Sequence, residues 1–497
     1  MVLSVIFMLF LYPMSSSATN IFNVVNFGAR PNGKTDSSNG FLRAWNAACG
    51  SASPSTIKIP SGEFLFLRPV VFSGSDCKSR GIAFRILGSL VAHSDYRILG
   101  NSGTWLSFKH VTGVTISGGT LDGNGAGLWA CKKSGGGLSA RCHAIHILQT
   151  LSFTNSKNIV ISGVTSLNSQ LYHIVINGCK NVKLKGIKVV AAGGSPNTDG
   201  IHVQLSTGVA ISNSRIATGD DCVSVGAGTV NLWIENVACG PGHGISIGSL
   251  AKDLHEPGVQ NVTVKMVKFT STDNGVRIKS WGRPSDGFVR NVLFQHLTMA
   301  NVRNPIIIDQ NYCPNNKGCP LKASGVRISD VTYQGISGSS ATEVAVKFDC
   351  SSTYPCTKIR LQDVKLTYNK MPPKSSCANA GGHPESLPSF VIRHSCEEED
   401  SLAGAIVSEL PLWDASPASP VIPLTGFIWL TAGPVRSFSF LSALFFGLSS
   451  LFESVEFDSF TGNFSQSDLL MENLTSVGDK KGRSDTVTHR HTTPHIV

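Results

Sequence analysis

Between about residues 104 and 368 one short pattern recurs: a small or polar residue, an apolar/x/apolar triplet, one or two polar residues, then a second such triplet. It is carried by Gly113-Val-Thr-Ile-Ser, Asn158-Ile-Val-Ile-Ser, Asn181-Val-Lys-Leu-Lys, Gly208-Val-Ala-Ile-Ser and Asn231-Leu-Trp-Ile-Glu. It continues in Asn261-Val-Thr-Val-Lys, Asn291-Val-Leu-Phe-Gln, Gly325-Val-Arg-Ile-Ser and Lys358-Ile-Arg-Leu-Gln. The first residues lie 45, 23, 27, 23, 30, 30, 34 and 33 apart, 45 being two periods. Alternation is the strand period, and helical periodicity is almost absent. A repeat of roughly 20 to 35 residues made of Val/Ile strands and Gly/Asn turns predicts an all-β fold: a right-handed parallel β-helix, a single-stranded solenoid of about ten coils. Coils stack at the ~4.8 Å strand spacing with Val, Ile and Leu inside. The Leu-x-x-Leu-x-Leu frame of the leucine-rich alternative is absent.

A bare coil end would offer unpaired edge groups, so residues 19–103 are expected to cap the N-terminal end, with residues 41–48 as a short helix over the open coil. Residues 19–396 read as one domain. After Cys396 the repeat stops and Glu397-Glu-Glu-Asp opens a Ser-, Pro- and Thr-containing stretch. Its one apolar patch, residues 438–452, is short for a bilayer span and does not fit a lipid-anchor signal, so residues 397–497 are expected to be a disordered extension. Residues 2–12 form an apolar core followed by Pro13 and by Ser16 and Ala18 at cleavage-like positions. Residues 1–18 therefore read as a secretory signal peptide, with a buried N-terminal strand as the alternative.

With 497 residues and 15% charged residues, the chain can bury a large core, and no apolar run reaches the ~18–20 residues of a membrane span. The net charge of +10 conceals an uneven distribution. Residues 397–497 hold 13 acidic and 5 basic residues, leaving 37 basic against 19 acidic before them, a net of +18. Such a body attracts polyanions. Secretion removes nucleic acid and leaves an anionic lipid or an acidic polysaccharide as the expected partner. Thirteen cysteines in a secreted chain point to disulfides, with Cys222/Cys239, Cys313/Cys319, Cys350/Cys356 and Cys377/Cys396 as close pairs and Cys179 as the odd thiol. No Cys-x-x-Cys spacing suggests zinc. Asn261-Val-Thr, Asn463-Phe-Ser and Asn473-Leu-Thr are glycosylation sequons.

Chemistry concentrates in Asn197-Thr-Asp199-Gly and Gly219-Asp220-Asp221-Cys222. It is 21 residues from Asp199 to Asp220, 22 from Asp221 to His243, 34 on to Arg277 and 35 on to Tyr312. Each step is about one coil, so these residues are expected in one strip along one groove. Alternation buries Val276 and Ile278 and turns Arg277 and Lys279 to the same outer face, suiting a substrate that carries carboxylates. Gly219 suggests a bend that brings both Asp220 and Asp221 to the groove. Singly, each motif reads as a turn, a solvated strand face or a packed aromatic; the ordered series gives them meaning.

That series resembles the polygalacturonases, glycoside hydrolases of family 28 that cleave pectin. Asn197-Thr-Asp-Gly, Gly219-Asp-Asp-Cys, Gly242-His-Gly-Ile-Ser-Ile-Gly-Ser249 and Arg277-Ile-Lys279 look like the family's four signature segments in order, and Asp-Gln-Asn-Tyr312-Cys like its tyrosine segment. The likeness runs from Phe22 to Cys396. It implies hydrolysis of α-1,4-galacturonosyl bonds of pectin with inversion, without metal or cofactor, by a secreted monomer of the cell wall that binds no nucleic acid or membrane. It further implies that Asp220 is the general acid, that Asp199 and Asp221 activate water, that His243 tunes the acid, and that Arg277, Lys279, Tyr312 and Asn197 bind the uronate. The chemistry is coherent: inversion needs one protonated and one ionised carboxyl, and crowding three carboxyls raises the pKa of one. The chain departs from the family at Leu250-Ala251, where Leu-Gly is usual, and around Arg141-Cys-His. The rivals are a pectate lyase, which would need calcium and a basic proton acceptor, and a wall-binding protein with a dead site.

Overall fold

Inward-facing apolar side chains stack rung upon rung in the computed structural model, which describes residues 19–99, 103–134 and 149–381. Val209, Leu232, Val262, Val292, Val331 and Ile359 pair in register on six consecutive rungs, each nearly or wholly buried. The pairings between named strands are parallel and make an 18-stranded and an 11-stranded sheet. One rung cannot cover its own apolar face, so the stack is a parallel β-helix. The second sheet runs from Val70–Ser73 to Lys374–Ala378 and so holds eleven rungs, close to the ten expected.

The polar residue that opens each repeat sits at a corner in left-handed backbone, with φ of 57° at Asn158, Asn181 and Asn231, 56° at Asn261 and 54° at Asn291. Asparagine tolerates this region better than most residues. Its amide also builds a ladder. Asn181 donates to Asn158 at 3.2 Å, Asn261 to Asn231 at 3.0 Å and Asn291 to Asn261 at 3.2 Å. The Asn261 sequon is thus part of the ladder; Asn463 and Asn473 lie outside the described residues.

Two expectations about the repeat are corrected. Gly325 does not open a repeat: Asp330, with φ 54°, takes that corner, and Val331 rather than Val326 pairs with Val292 and Ile359. Coils also begin before residue 104. Ser55–Ile59, Ile82–Ile86 and Val114–Ser117 stack in register, so residues 55–92 are rungs and not cap. Their interior is filled by Phe64, Phe66, Phe72 and Phe84, which hides the Val/Ile signature.

The cap is the helix Ser38–Gly50, longer than predicted. Phe41 packs against Phe64 and Phe66, and Trp45 against Phe72, Phe84 and Phe108 while its indole N–H donates to Ser73 O. Cys49 at its end is bonded to Cys77, a bridge not foreseen. Cys222–Cys239, Cys313–Cys319 and Cys350–Cys356 form as expected, and Cys179 is the free thiol among the described residues. Cys377 is disulfide-bonded; Cys396 lies outside the described residues, as do the expected signal peptide and residues 397–497. A second helix, Ala126–Lys133, was not predicted. Among the described residues no helix is long and apolar enough to cross a membrane.

Candidate active site

Five neighbouring strands of the 11-stranded sheet build the site: Ile201–Gln204, Val223–Val225, Ile245–Leu250, Asn274–Trp281 and Asn304–Tyr312. Ile201, Val223, Ile245, Val276 and Ile306 pair in register and point inward. Asp199, Asp221 and His243 each stand two residues before that row, one rung apart. The single strip predicted from spacing stops there. Arg277 pairs with Ser246 instead of rising above His243, and Tyr312 pairs with Trp281, so the cations and the tyrosine occupy neighbouring columns. The longer connections at residues 251–258 and 282–287, with the long strands Val259–Thr270 and Phe288–Val302 that follow them, absorb the extra residues. Asn274, and not Arg277, follows His243 in its column, and its side-chain amide donates to His243 O at 3.1 Å.

The expected bend forms at Gly219 and Asp220, and both Asp220 and Asp221 reach the site. A Cβ at Gly219 would meet Ser195 O at 2.1 Å and Ser195 N at 2.5 Å, so the glycine permits close backbone approach. The same turn is fixed by Thr198 Oγ1, which accepts from Gly219 N at 3.1 Å, and by the Cys222–Cys239 bridge next to Asp221.

The three carboxylates have distinct surroundings. The Asp221 side chain is 1% exposed. Its Oδ1 accepts from Ser246 Oγ at 2.7 Å and Arg277 Nη2 at 3.1 Å, and its Oδ2 from Lys279 Nζ at 3.0 Å. Asp220 is more open. Its Oδ1 lies 3.1 Å from His243 Nδ1 and accepts from Asp221 N at 2.8 Å, and Asn197 Nδ2 reaches its Oδ2 at 3.5 Å. Burial opposes ionising Asp220, but the hydrogen bond and charge of His243, with Lys279 nearby, hold its carboxyl below the usual range. Asp199 goes the other way: burial, then the charges of Asp220 and Asp221, push it well above the ordinary value against a hydrogen bond from Ser224. The bond to Asp220 raises His243 against the opposing effect of burial, and its Nε2 faces Asp273 at 3.4 Å.

Arg277 and Lys279 retain donors. Arg277 spends Nε on Ser246 and Nη2 on Asp221, and both cations lie over the Tyr312 ring, at 5.8 and 5.2 Å from its centroid. Tyr312 itself packs edge-on against Trp281 at 5.3 Å.

Sequence reasoning passed over Ser246, Ser224, His202, Tyr172 and Asp273. The alternation applied to Arg277 would have found three of them, since Ile201-His-Val, Val223-Ser-Val and Ile245-Ser-Ile put His202, Ser224 and Ser246 in its column. His202 Nδ1 lies 2.8 Å from Ser224 Oγ and its Nε2 3.2 Å from Gln204 Oε1, and Tyr172 stacks on its ring at 5.0 Å. Burial lowers His202 to about 4, so it is neutral near pH 7. Asp220, Asp221 and His243 bring donor atoms within 4.8 Å of one another, a grouping that could hold a metal. Both Asp221 oxygens already accept from cations, however, whose charges would repel a metal there.

The family model for "Glycosyl hydrolases family 28" matches residues 49–389. A polygalacturonase from Prunus persica is 60% identical over 385 residues, covering 76% of this chain and 95% of that protein. An exopolygalacturonase from Platanus acerifolia is 41% identical over 366 residues, covering 73% and 95%. Among solved structures, endo-xylogalacturonan hydrolase from Aspergillus tubingensis has a similar fold, with a TM-score of 0.65 at 22% identity over 76% of this chain and all of that one.

Proposed function

This chain belongs to glycosyl hydrolases family 28, and from that premise we propose that it is a polygalacturonase hydrolysing the α-1,4-galacturonosyl bonds of pectin. The observation that carries the reading is the juxtaposition of a more open carboxyl, Asp220, with two cations that still have free donors. A uronate needs the cations, and its glycosidic oxygen needs the acid.

Asp220 gives its proton to the leaving oxygen while water attacks the anomeric carbon, and Asp199 takes the water's proton with Asp221 fixing its position. Asp199 and Asp220 hold one proton between them. In the free site it favours Asp199. A bound uronate draws on Lys279 and Arg277, weakens their pull on Asp220 and brings a negative charge of its own, so the proton moves to Asp220 and Asp199 becomes the base. Gln204, His202 and Ser224 support Asp199 from behind, and His243 holds Asp220 in place. Arg277, Lys279, Tyr312 and Asn197 bind the sugar acid. Asp221 is too covered and too firmly paired to attack carbon, which supports direct displacement by water and hence inversion. No cofactor or metal enters the scheme. The disulfides fit an oxidising compartment, which supports secretion to the wall.

Asp220→Asn should lower turnover on polygalacturonate by ~10² or more with folding intact. Proton NMR of the first product should show the inverted anomer. A retained anomer sinks the inverting scheme; an unsaturated product absorbing in the ultraviolet, lost on chelation, would mean a lyase.

A further inference from the structure

Away from the catalytic sheet, the 18-stranded sheet carries a cationic face. Lys157 on strand Lys157–Ser162 pairs in register with Lys180 on Lys180–Lys185, and Lys183 and Lys185 follow on the same outer face. All four are exposed, and none has an ion-pair partner among the described residues. Neither strand, nor the next, Thr207–Ala217, contains an Asp or Glu.

A dent lies in this face. Lys183, Ala210 and Trp233 occupy one column on consecutive rungs. Small residues at Gly208 and Ala210 leave a groove of about 470 Å³ beside Lys183, lined also by Asn158 and Asn181, and Trp233 stands on the next rung after Ala210. Gly208 interrupts the asparagine ladder, so Asn181 Oδ1 has no amide above it and stays open to a hydroxyl donor. Trp233 is 42% exposed, its ring approached by Lys265 at 4.8 Å and its N–H held by Glu235.

We propose that this face is a second, non-catalytic binding surface for a de-esterified uronan chain, an inference that rests on the polygalacturonase reading for the identity of the sugar. The chain runs along the axis of the solenoid. The carboxylate over the Lys180–Lys185 rung meets Lys183 and Lys185 side by side, one pyranose ring two rungs on lies on Trp233, and a hydroxyl donates to Asn181. Extended pyranose units advance by a length comparable to the ~4.8 Å rung, so successive sugars find successive rungs. Charge alone would suit any polyanion; the exposed indole beside a concave, amide-lined floor selects for sugar. Such a surface would hold the enzyme on its polymer while the catalytic groove releases product.

The test is retention of the full-length Asp220→Asn protein in gels containing polygalacturonate, with excess trigalacturonate to fill the catalytic groove. Lys183→Ser/Lys185→Ser should weaken retention by roughly tenfold, and Trp233→Ala by at least about threefold on polygalacturonate but not on polyglutamate. With Asp220 restored, the same variants should cleave short oligogalacturonates within about twofold of wild type and lose rate on insoluble pectate. Unchanged retention in both variants overturns the proposal. Equal loss on polyglutamate, or capture by anionic lipid vesicles and not by pectate, overturns the sugar as occupant. Should wild type fail on the short oligomers while retention still depends on these residues, the functional reading falls and the surface stands.

Discussion

Lys279 Nζ donates to Asp221 Oδ2 across 3.0 Å, and the Lys279 side chain is only 9% exposed. The lysine expected to clamp substrate is therefore also the counter-ion of a buried carboxylate. Breaking a buried pair leaves an uncompensated charge, at a cost of about 3–5 kcal/mol, here reduced because Arg277 remains. Lys279→Met should lower stability by about 2–3 kcal/mol as well as weaken substrate binding, and adding Asp221→Asn should recover part of the stability but none of the activity. Denaturant unfolding of the four proteins in the cycle measures this; additive losses would mean the pair is not coupled.

Ser224 donates to Asp199 and opposes the upward pull of burial and of Asp220 and Asp221. Removing it should raise Asp199 further. Because Asp199 must be ionised to accept the water's proton, Ser224→Ala should move the acid limb of the kcat–pH profile to higher pH with KM little altered. An unmoved limb would remove Asp199 from the role of base.

Asp199 also carries a stability signature. Its folded pKa is raised, so its favourable contribution is complete below its unfolded value near 3.8 and is lost as pH rises through the folded value. Asp199→Asn cannot ionise, so the variant should be more stable than wild type at pH 7, with the advantage shrinking toward pH 4. His243, also raised, adds a loss in the same direction as pH climbs past 6.5. Thermal unfolding from pH 4 to 8 is the measurement, and a gap that widens toward acid would contradict the assignment.

A methyl at Gly219 has no room: Ser195 O, N and C lie 2.1, 2.5 and 2.8 Å from the ideal Cβ. The backbone that carries Asp220 and Asp221 must move. Gly219→Ala should cost about 2–3 kcal/mol and lower kcat by ~10² or more, since an ångström at the acid is enough. Gly50→Ala, where nothing lies within 4 Å, is the control and should be neutral or slightly stabilising. Equal behaviour of the two would show that the close approach does not matter.

The architecture was legible wherever Val and Ile alternate behind an Asn corner, because strand period and left-handed tolerance are properties of the residues themselves. It was obscured where Phe64, Phe66 and Phe72 fill the first rungs, since large rings achieve the same burial with a different vocabulary. Asp330 was missed because Gly325-Val-Arg-Ile imitates the motif five residues early. At the site, Asp199, Asp221 and His243 follow the coil length directly. The offset of Arg277 and Tyr312 depends on how loops of unequal length rejoin the sheet, which no count of intervening residues reveals. His202 and Ser224 were readable by alternation, yet their partnership with Asp199 arises only when two neighbouring rungs meet.

Because each rung contributes a single group or two, the molecule can change length at no chemical expense in some places and not in others. An additional turn of chain inserted before Ser195 would merely push the helical lid farther from the groove. The same insertion between Asp221 and Lys279 would slide the proton donor and the uronate anchor one storey apart, leaving a sound scaffold with nothing to cut.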